Sequence, residues 1–220
     1  VIAGTGSNDT SHAVHLSRYA QEAGADMVLL VPPYYNKTTQ RGLLAHFSMI
    51  AGSIDIPIML YNIPQRTGMN IDSSTMAELS HIPNITAVKE CNMEQLADCI
   101  SHCASDFYVY SGDDTNILTV LAFGGKGVVS VLGNILPGQV HRLVRLFLDG
   151  DTRESRNMFY SLYPLMKALF LETNPIPVKK AMQLMGMNEG ILRMPLLEMS
   201  PENTEKLMNV MVSAGLIQEG

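Results

Sequence analysis

Lys89 is the residue whose type and setting could do the most chemistry. It follows the apolar, largely β-branched run at residues 85–88, which is typical of a buried strand. A lysine in an apolar wall loses ammonium solvation, so its pKa falls, and a neutral amine can form a Schiff base with a ketone. The alternative is a strand-end lysine whose stem packs while its ammonium group reaches water.

Two further side chains fit imine chemistry. Tyr61 ends the apolar run before that of Lys89, and its phenol could carry protons to and from a carbinolamine. Arg66 follows five residues later and could bind a substrate carboxylate through two parallel hydrogen bonds. Taken singly, each residue also has a simpler interpretation. Tyr61 could be a tyrosine at the rim of the sheet with a hydrated hydroxyl, and Arg66 could be a solvated charge on a loop.

Metal chemistry is disfavoured by the sequence. Asp113 and Asp114 could bind a metal, but two acids directly after a strand suit the first turn of a helix, and capping is the favoured interpretation. His12 and His15 lie three residues apart on a predicted helix without a carboxylate at matching spacing. We therefore expect no metal site and no metal-dependent mechanism.

Composition excludes several classes of protein. The formal net charge is −6 and no basic run is present, so we expect no nucleic-acid partner. No apolar stretch reaches the ~18 residues of a membrane span, and the first residues do not resemble a signal peptide. The odd count of three cysteines matches no zinc pattern and fits a reducing, cytoplasmic setting.

Short apolar runs alternate with amphipathic segments along the first two thirds of the chain. The predicted strands are 1–3, 27–31, 57–61, 85–89, 107–110 and 127–131. The predicted helices are 8–23, 39–50, one capped by Asp72 or Ser73, 92–103, 137–148, 153–171, 175–185 and 201–216. The alternation predicts βα units and a parallel sheet covered on both faces.

The fold class predicted is α/β, as a (β/α)8 TIM barrel. A doubly wound sheet is the alternative, but no G-x-G-x-x-G follows the first strand, and polar residues cluster just after the strands, where a barrel places its site. Six strands are found where a barrel has eight. We therefore expect the chain to lack the first two βα units, with strands three to eight in residues 1–148 and a helical region at 149–220.

Six segments together carry a resemblance to a known family. They are 2–8, 33–36, 61–68, 88–90, 111–114 and 174–179. In this order they resemble the dihydrodipicolinate synthase family of pyruvate-dependent class I aldolases. The resemblance implies a lyase of lysine and diaminopimelate biosynthesis that joins pyruvate to L-aspartate 4-semialdehyde, giving 4-hydroxy-tetrahydrodipicolinate. It implies no cofactor, because the imine forms on the protein.

The resemblance assigns roles to six residues. Lys89 forms the imine with pyruvate, and Tyr61 is the proton relay beside it. Tyr35 resembles a tyrosine that reaches into a neighbouring subunit's site, which implies a homo-oligomer, as a dimer of dimers. The substrate-binding residues are Arg66, for the semialdehyde carboxylate, and Val129 and Gly112, whose backbone approaches the bound substrate.

A regulatory site is expected to be degenerate. Lysine-regulated relatives bind lysine near positions matching Asn8, His12 and Tyr34. His12 stands where those relatives carry a glutamate, so the carboxylate that pairs with a cationic ligand is missing.

Two alternatives stay open. Another imine aldolase, such as N-acetylneuraminate lyase or a 2-keto-3-deoxy sugar-acid aldolase, is disfavoured by Arg66. A truncated, non-catalytic chain is the other, because the family's Gly-Thr-Thr segment, which binds the pyruvate carboxylate, is expected upstream of Val1.

Overall fold

The computed structural model describes residues 1–218 and contains six strands separated by helices. The strands are β1 (Ile2–Gly4), β2 (Met27–Leu30), β3 (Ile58–Asn62), β4 (Ile85–Glu90), β5 (Tyr108–Ser111) and β6 (Gly127–Val128). Each begins within one residue of its predicted position. The β-branched and apolar runs identified in the sequence therefore do form the strands.

All six strands belong to one parallel sheet with the order β1-β2-β3-β4-β5-β6. Each helical connection thus moves the chain to the next position in the same direction. A doubly wound sheet reverses its strand order at a switch point. Across residues 1–218 the order does not reverse, so the barrel-type winding is confirmed over the alternative.

The helices of the first part of the chain cover this sheet. They are α1 (Thr10–Glu22), α2 (Gln40–Ala51), α3 (Pro64–Thr67), α4 (Ser73–Leu79) and α5 (Leu96–His102). α2 illustrates the packing, because Leu43, Phe47 and Ile50 recur on one face and are fully buried. The strands β2, β3 and β4 supply the facing core through residues such as Leu30, Leu60 and Val88, which are also fully buried.

The later part of the chain is helical. Its helices are α6 (Ile117–Ala122), α7 (Pro137–Leu148), α8 (Thr152–Ala168), α9 (Ile176–Leu184) and α10 (Pro201–Ser213). α8 packs against α7 and α10. The predicted helices 153–171 and 201–216 both end three residues early, and α7 has the predicted bounds.

Contacts divide the chain into two compact units. The first comprises Val1–Gly112 with Ala122–Val129 and contains the whole sheet, and the second comprises Asp113–Leu121 with residues 130–218. The division expected at residue 148 falls inside the second unit and stays a prediction about domain organisation.

The last strand, predicted at 127–131, ends at Val128, because residues 130–132 form hydrogen bonds to Asp114 instead of continuing the strand. The backbone N–H groups of Val131 and Leu132 donate to Asp114 Oδ2, each at 2.9 Å, and the Ser130 hydroxyl donates to Asp114 Oδ1. Asp114 therefore fixes a turn in residues 130–132. Its neighbour Asp113 does cap the following turn, accepting from the Thr115 N–H at 2.7 Å, so the capping interpretation is right for one of the two acids.

Candidate active site

Tyr61 and Lys89 lie side by side at the carboxyl ends of neighbouring strands. They are register partners in β3 and β4, so their side chains leave the same face of the sheet. The Lys89 Nζ lies 4.1 Å from the centroid of the Tyr61 ring. Both residues are half-buried at the end of the sheet.

The Tyr61 phenol stays protonated at neutral pH. Burial raises its pKa to about 12, the nearby Cys91 adds to the rise, and the positive charge of Arg66 opposes it. The phenol also shares a hydrogen bond with the Cys91 thiol. A protonated phenol beside an amine can donate a proton to a departing hydroxyl group and take it back later.

Gly112 closes one side of the pair, directly after β5. Its N–H donates to the Glu90 carbonyl at 2.8 Å. A Cβ at this position would collide with Cys91 Sγ and lie 3.3 Å from Lys89 Cγ. A glycine is therefore required where β5 passes the lysine stem.

Val129 and Arg66 lie at the same end of the sheet. The Val129 N–H donates to the Ser111 carbonyl at 2.9 Å, which continues the β5–β6 pairing just past β6. Arg66 is exposed on α3, the short helix that follows β3, and its charge acts on the Tyr61 phenol. Five predicted residues therefore lie at one end of the sheet. They are Lys89, Tyr61, Gly112, Val129 and Arg66.

Tyr35 lies at the tip of a strained turn. Its φ of 69° falls in the left-handed region that a tyrosine rarely adopts, and the Asn36 N–H bonds back to the Tyr34 carbonyl at 2.9 Å across it. The side chain is 92% exposed, so residues 1–218 do not cover it. Among these residues, Tyr35 therefore does not pack into the Lys89–Tyr61 pair.

The three residues of the expected regulatory site lie on two connected segments. Asn36 Nδ2 donates to the Asn8 carbonyl at 2.9 Å, which ties the Tyr34 turn to the segment before α1. His12 is exposed in the first turn of α1, where its N–H donates to the helix-capping Asp9 at 2.6 Å.

Two residues of this region were missed in the sequence. Tyr110 in β5 is the register partner of Lys89 on its other side, is half-buried, and has a pKa raised by burial. Glu90 is fully buried next to Lys89. An acid ending an apolar strand was the available signal for Glu90, but its partner Asn62 lies 28 residues away in the sequence.

Comparison with known proteins identifies the family of this chain. Residues 1–214 match the Dihydrodipicolinate synthetase family. The chain belongs to this family. A 4-hydroxy-tetrahydrodipicolinate synthase from Acetivibrio thermocellus is 57% identical over 217 residues, covering 99% of this chain and 74% of that protein.

Solved structures of the family have the same fold. The dihydrodipicolinate synthase of Aquifex aeolicus superposes with a TM-score of 0.96 at 49% identity, covering 100% of this chain and 76% of that one. The enzyme from Cyanidioschyzon merolae with lysine bound superposes with a TM-score of 0.96 at 41% identity, covering 99% and 74%. The alignment spans both compact units, so the family assignment applies to the sheet and to the helical part.

The described residues also address the metal and membrane predictions. Within residues 1–218, no three His, Cys, Asp or Glu side chains are grouped as a metal ion would require. In the same range, each helix is too short or too polar to cross a membrane.

Proposed function

We propose that this protein condenses pyruvate with L-aspartate 4-semialdehyde to give 4-hydroxy-tetrahydrodipicolinate, in lysine and diaminopimelate biosynthesis. The observation that carries the proposal is the Lys89 amine held 4.1 Å from the Tyr61 ring at the strand ends. A relative 57% identical to the chain is named for this synthase activity. The family and the geometry therefore support the same reaction.

The chemistry follows from the pair. The Lys89 amine adds to the pyruvate ketone, and Tyr61 donates a proton to the hydroxyl of the carbinolamine, which leaves as water. Loss of a methyl proton from the imine gives an enamine, whose carbon attacks the aldehyde of the second substrate. Because the imine itself stabilises the carbanion, we propose that neither a metal nor an organic cofactor takes part.

The remaining site residues handle the substrates. Arg66, exposed at the rim, binds the carboxylate of the semialdehyde, because a guanidinium group can donate two parallel bonds to it. Val129 and Gly112 present backbone to the pyruvate-derived part. Tyr35, aimed away from its own chain, completes the proton relay of a neighbouring subunit.

The same resemblance extends to architecture and setting. The six-stranded sheet forms strands three to eight of an eight-stranded barrel, and two such chains pair around Tyr35 within a dimer of dimers. The enzyme works in the cytoplasm. The exposed, strained Tyr35 supports the assembly, since a bare aromatic side chain at the tip of a turn gains most from burial in a partner.

Trapping of the imine tests the proposal. Pyruvate and borohydride should add one pyruvate-derived mass to the protein, and peptide mapping should place it on Lys89. Lys89→Ala should lose the label and several orders of magnitude in turnover. Lys126→Ala is a matched control, because the Lys126 Nζ also lies over a tyrosine ring, at 5.7 Å from the centroid of the Tyr108 ring.

Two outcomes would contradict this function. Label on another lysine, or a fully active enzyme without label, rules out the imine at Lys89. If the enzyme turns over N-acetylneuraminate or a 2-keto-3-deoxy sugar acid faster than the semialdehyde, its function is that of another aldolase.

A further inference from the structure

A buried carboxyl group lies directly behind the proposed catalytic lysine. Glu90 follows Lys89 in β4, so its side chain points to the opposite face of the sheet, where it is fully buried. Asn62 Nδ2 donates to its two oxygens at 2.9 and 3.2 Å, and Gln95 Nε2 donates at 3.0 Å. The Asn92 N–H donates at 2.6 Å. Glu90 therefore receives donors from β3 and from the turn that follows its own strand.

The same two strands carry both pairs. Asn62 and Glu90 are register partners in β3 and β4, one step beyond the partners Tyr61 and Lys89. We propose that Glu90 is a positioning residue, which as a carboxylate holds Asn62 and thereby keeps Tyr61 aligned with Lys89. The inference rests on the proposed roles of Lys89 and Tyr61.

The surrounding amides can face Glu90 only with their N–H groups. Asn62 Oδ1 accepts from the Ile71 N–H at 3.0 Å, so its amide cannot be turned around without losing a backbone bond. Gln95 Nε2 also donates to the Ile71 carbonyl at 2.9 Å, and Gln95 Oε1 accepts from Asn70 Nδ2 at 2.8 Å. Since only donors face Glu90, a carboxylic O–H there would be directed at another N–H group. The arrangement is complete only when Glu90 is ionised.

The charge balance around Glu90 makes its ionisation sensitive to pH. Burial raises the pKa of Glu90 to about 7, while the donors from Asn92, Gln95 and Asn62 oppose the rise. The titratable groups facing it are thiols and one acid, with Lys89 on the other face of the strand. The thiols are Cys99, with Sγ 4.0 Å from Oε2, and Cys103, and the acid is Asp72, which lies one residue further out and accepts from Asn70. Cys91 contributes its backbone N–H to Glu90, while its thiol contacts Tyr61 on the other face. The alignment of the catalytic pair should therefore weaken as the pH falls through about 7.

A test compares Glu90→Gln with a control that is destabilised elsewhere. Glu90→Gln keeps the shape but turns one acceptor into a donor. Ser155→Ala removes a buried hydroxyl in the second compact unit, where Ser155 Oγ donates to the Leu143 carbonyl at 2.9 Å. For each protein, kcat and both KM values are measured from about pH 5.5 to about pH 8.5, after the borohydride label on Lys89 of the wild-type enzyme has been mapped.

Positioning predicts a loss in kcat rather than in binding. At high pH, Glu90→Gln should lower kcat by roughly ten- to a hundred-fold, with both KM values within about two-fold of wild type. The wild-type kcat should fall as the pH drops through about 7, and Glu90→Gln should lack this acid limb. Ser155→Ala should melt earlier and keep both the wild-type kcat and the limb.

Several results would overturn the inference. A Glu90→Gln enzyme with the wild-type kcat, or with an unchanged acid limb, excludes the role of Glu90 while leaving the imine at Lys89 intact. Absence of label on Lys89 removes the proposed function and this inference together. If Glu90→Gln does not fold, Gln95→Met is decisive, because loss of one donor must raise the pH of the limb, and an unmoved limb excludes the role.

Discussion

Tyr61 faces Lys89 across adjacent parallel strands, with the lysine Nζ 4.1 Å from the centroid of the tyrosine ring. This distance makes the ring a neighbour of the amine in the resting protein. The phenol has a pKa of about 12, so it is a proton donor at any physiological pH. The packing of the Tyr61 ring against the amine and the proton of its hydroxyl can therefore be tested separately.

Tyr61→Phe should remove the proton and keep the packing. We expect kcat to fall by about 10²- to 10⁴-fold, because general acid catalysis at the carbinolamine is lost, while the melting temperature changes little. Stopped-flow measurement of imine formation and thermal unfolding check the two parts. Tyr108→Phe is the control, since Tyr108 is exposed and lies beside Lys126. A Tyr61→Phe enzyme with wild-type imine formation would exclude Tyr61 as the relay.

Arg66→Ala should harm the second half-reaction. Loss of a charge-assisted, bidentate bond costs roughly 1.5–3 kcal/mol, which is about ten- to a hundred-fold in kcat/KM for the semialdehyde. The rate of pyruvate imine formation should stay close to wild type. Arg41→Ala, which removes another exposed arginine from α2, serves as the control. Equal damage to both half-reactions would contradict the assignment of Arg66 to the semialdehyde carboxylate.

Feedback inhibition by lysine should be weak or absent. His12 is exposed on α1, and a neutral or cationic imidazole cannot pair with a cationic ligand as a carboxylate would. His12→Glu should therefore strengthen lysine inhibition by roughly ten- to a hundred-fold, the value of one charge-assisted contact. His15→Glu places the same charge one helical turn further along α1 and should leave inhibition unchanged. Micromolar inhibition of the wild-type enzyme would refute the prediction.

Glu90 should make folding stability decrease with increasing pH. Its pKa is raised from 4.5 to about 7, so between these values the folded chain holds a proton that the unfolded chain releases. The stabilisation is fully present below about pH 4.5 and is lost as the pH rises through about 7, at a cost of roughly 3 kcal/mol. Urea unfolding at a series of pH values measures it.

Glu90→Gln should flatten this dependence without abolishing it. Burial also raises the pKa of Asp114, so Asp114 contributes a slope of the same sign in the second compact unit. Asp114→Asn should remove that part. A Glu90→Gln protein with the wild-type pH dependence would contradict the assignment of this slope to Glu90, because the opposite slope from His46, whose pKa burial lowers, is common to both proteins. Ionisation of Glu90 thus lowers the stability of the fold, although the proposed alignment of Tyr61 with Lys89 requires the ionised form.

Local sequence pattern determined the elements of this protein. The continuous apolar run at 85–88 predicted β4, and the spacing of apolar residues predicted α2 and α7, because both patterns are properties of the chain itself. The end of this apolar run also placed Lys89 at a strand end, with Tyr61 at the end of the run before it. The pairing of the two followed once both strands were taken as parallel neighbours.

Only the tertiary structure decided which distant groups satisfy the buried acids. Asn62 reaches Glu90 from 28 residues away, and the Ser130 hydroxyl reaches Asp114 from 16 residues away. The left-handed turn at Tyr35 was equally hidden, since tyrosine rarely adopts it. These features depend on strand register and on which face is buried, and register is fixed by the packing of the whole sheet rather than by any short segment.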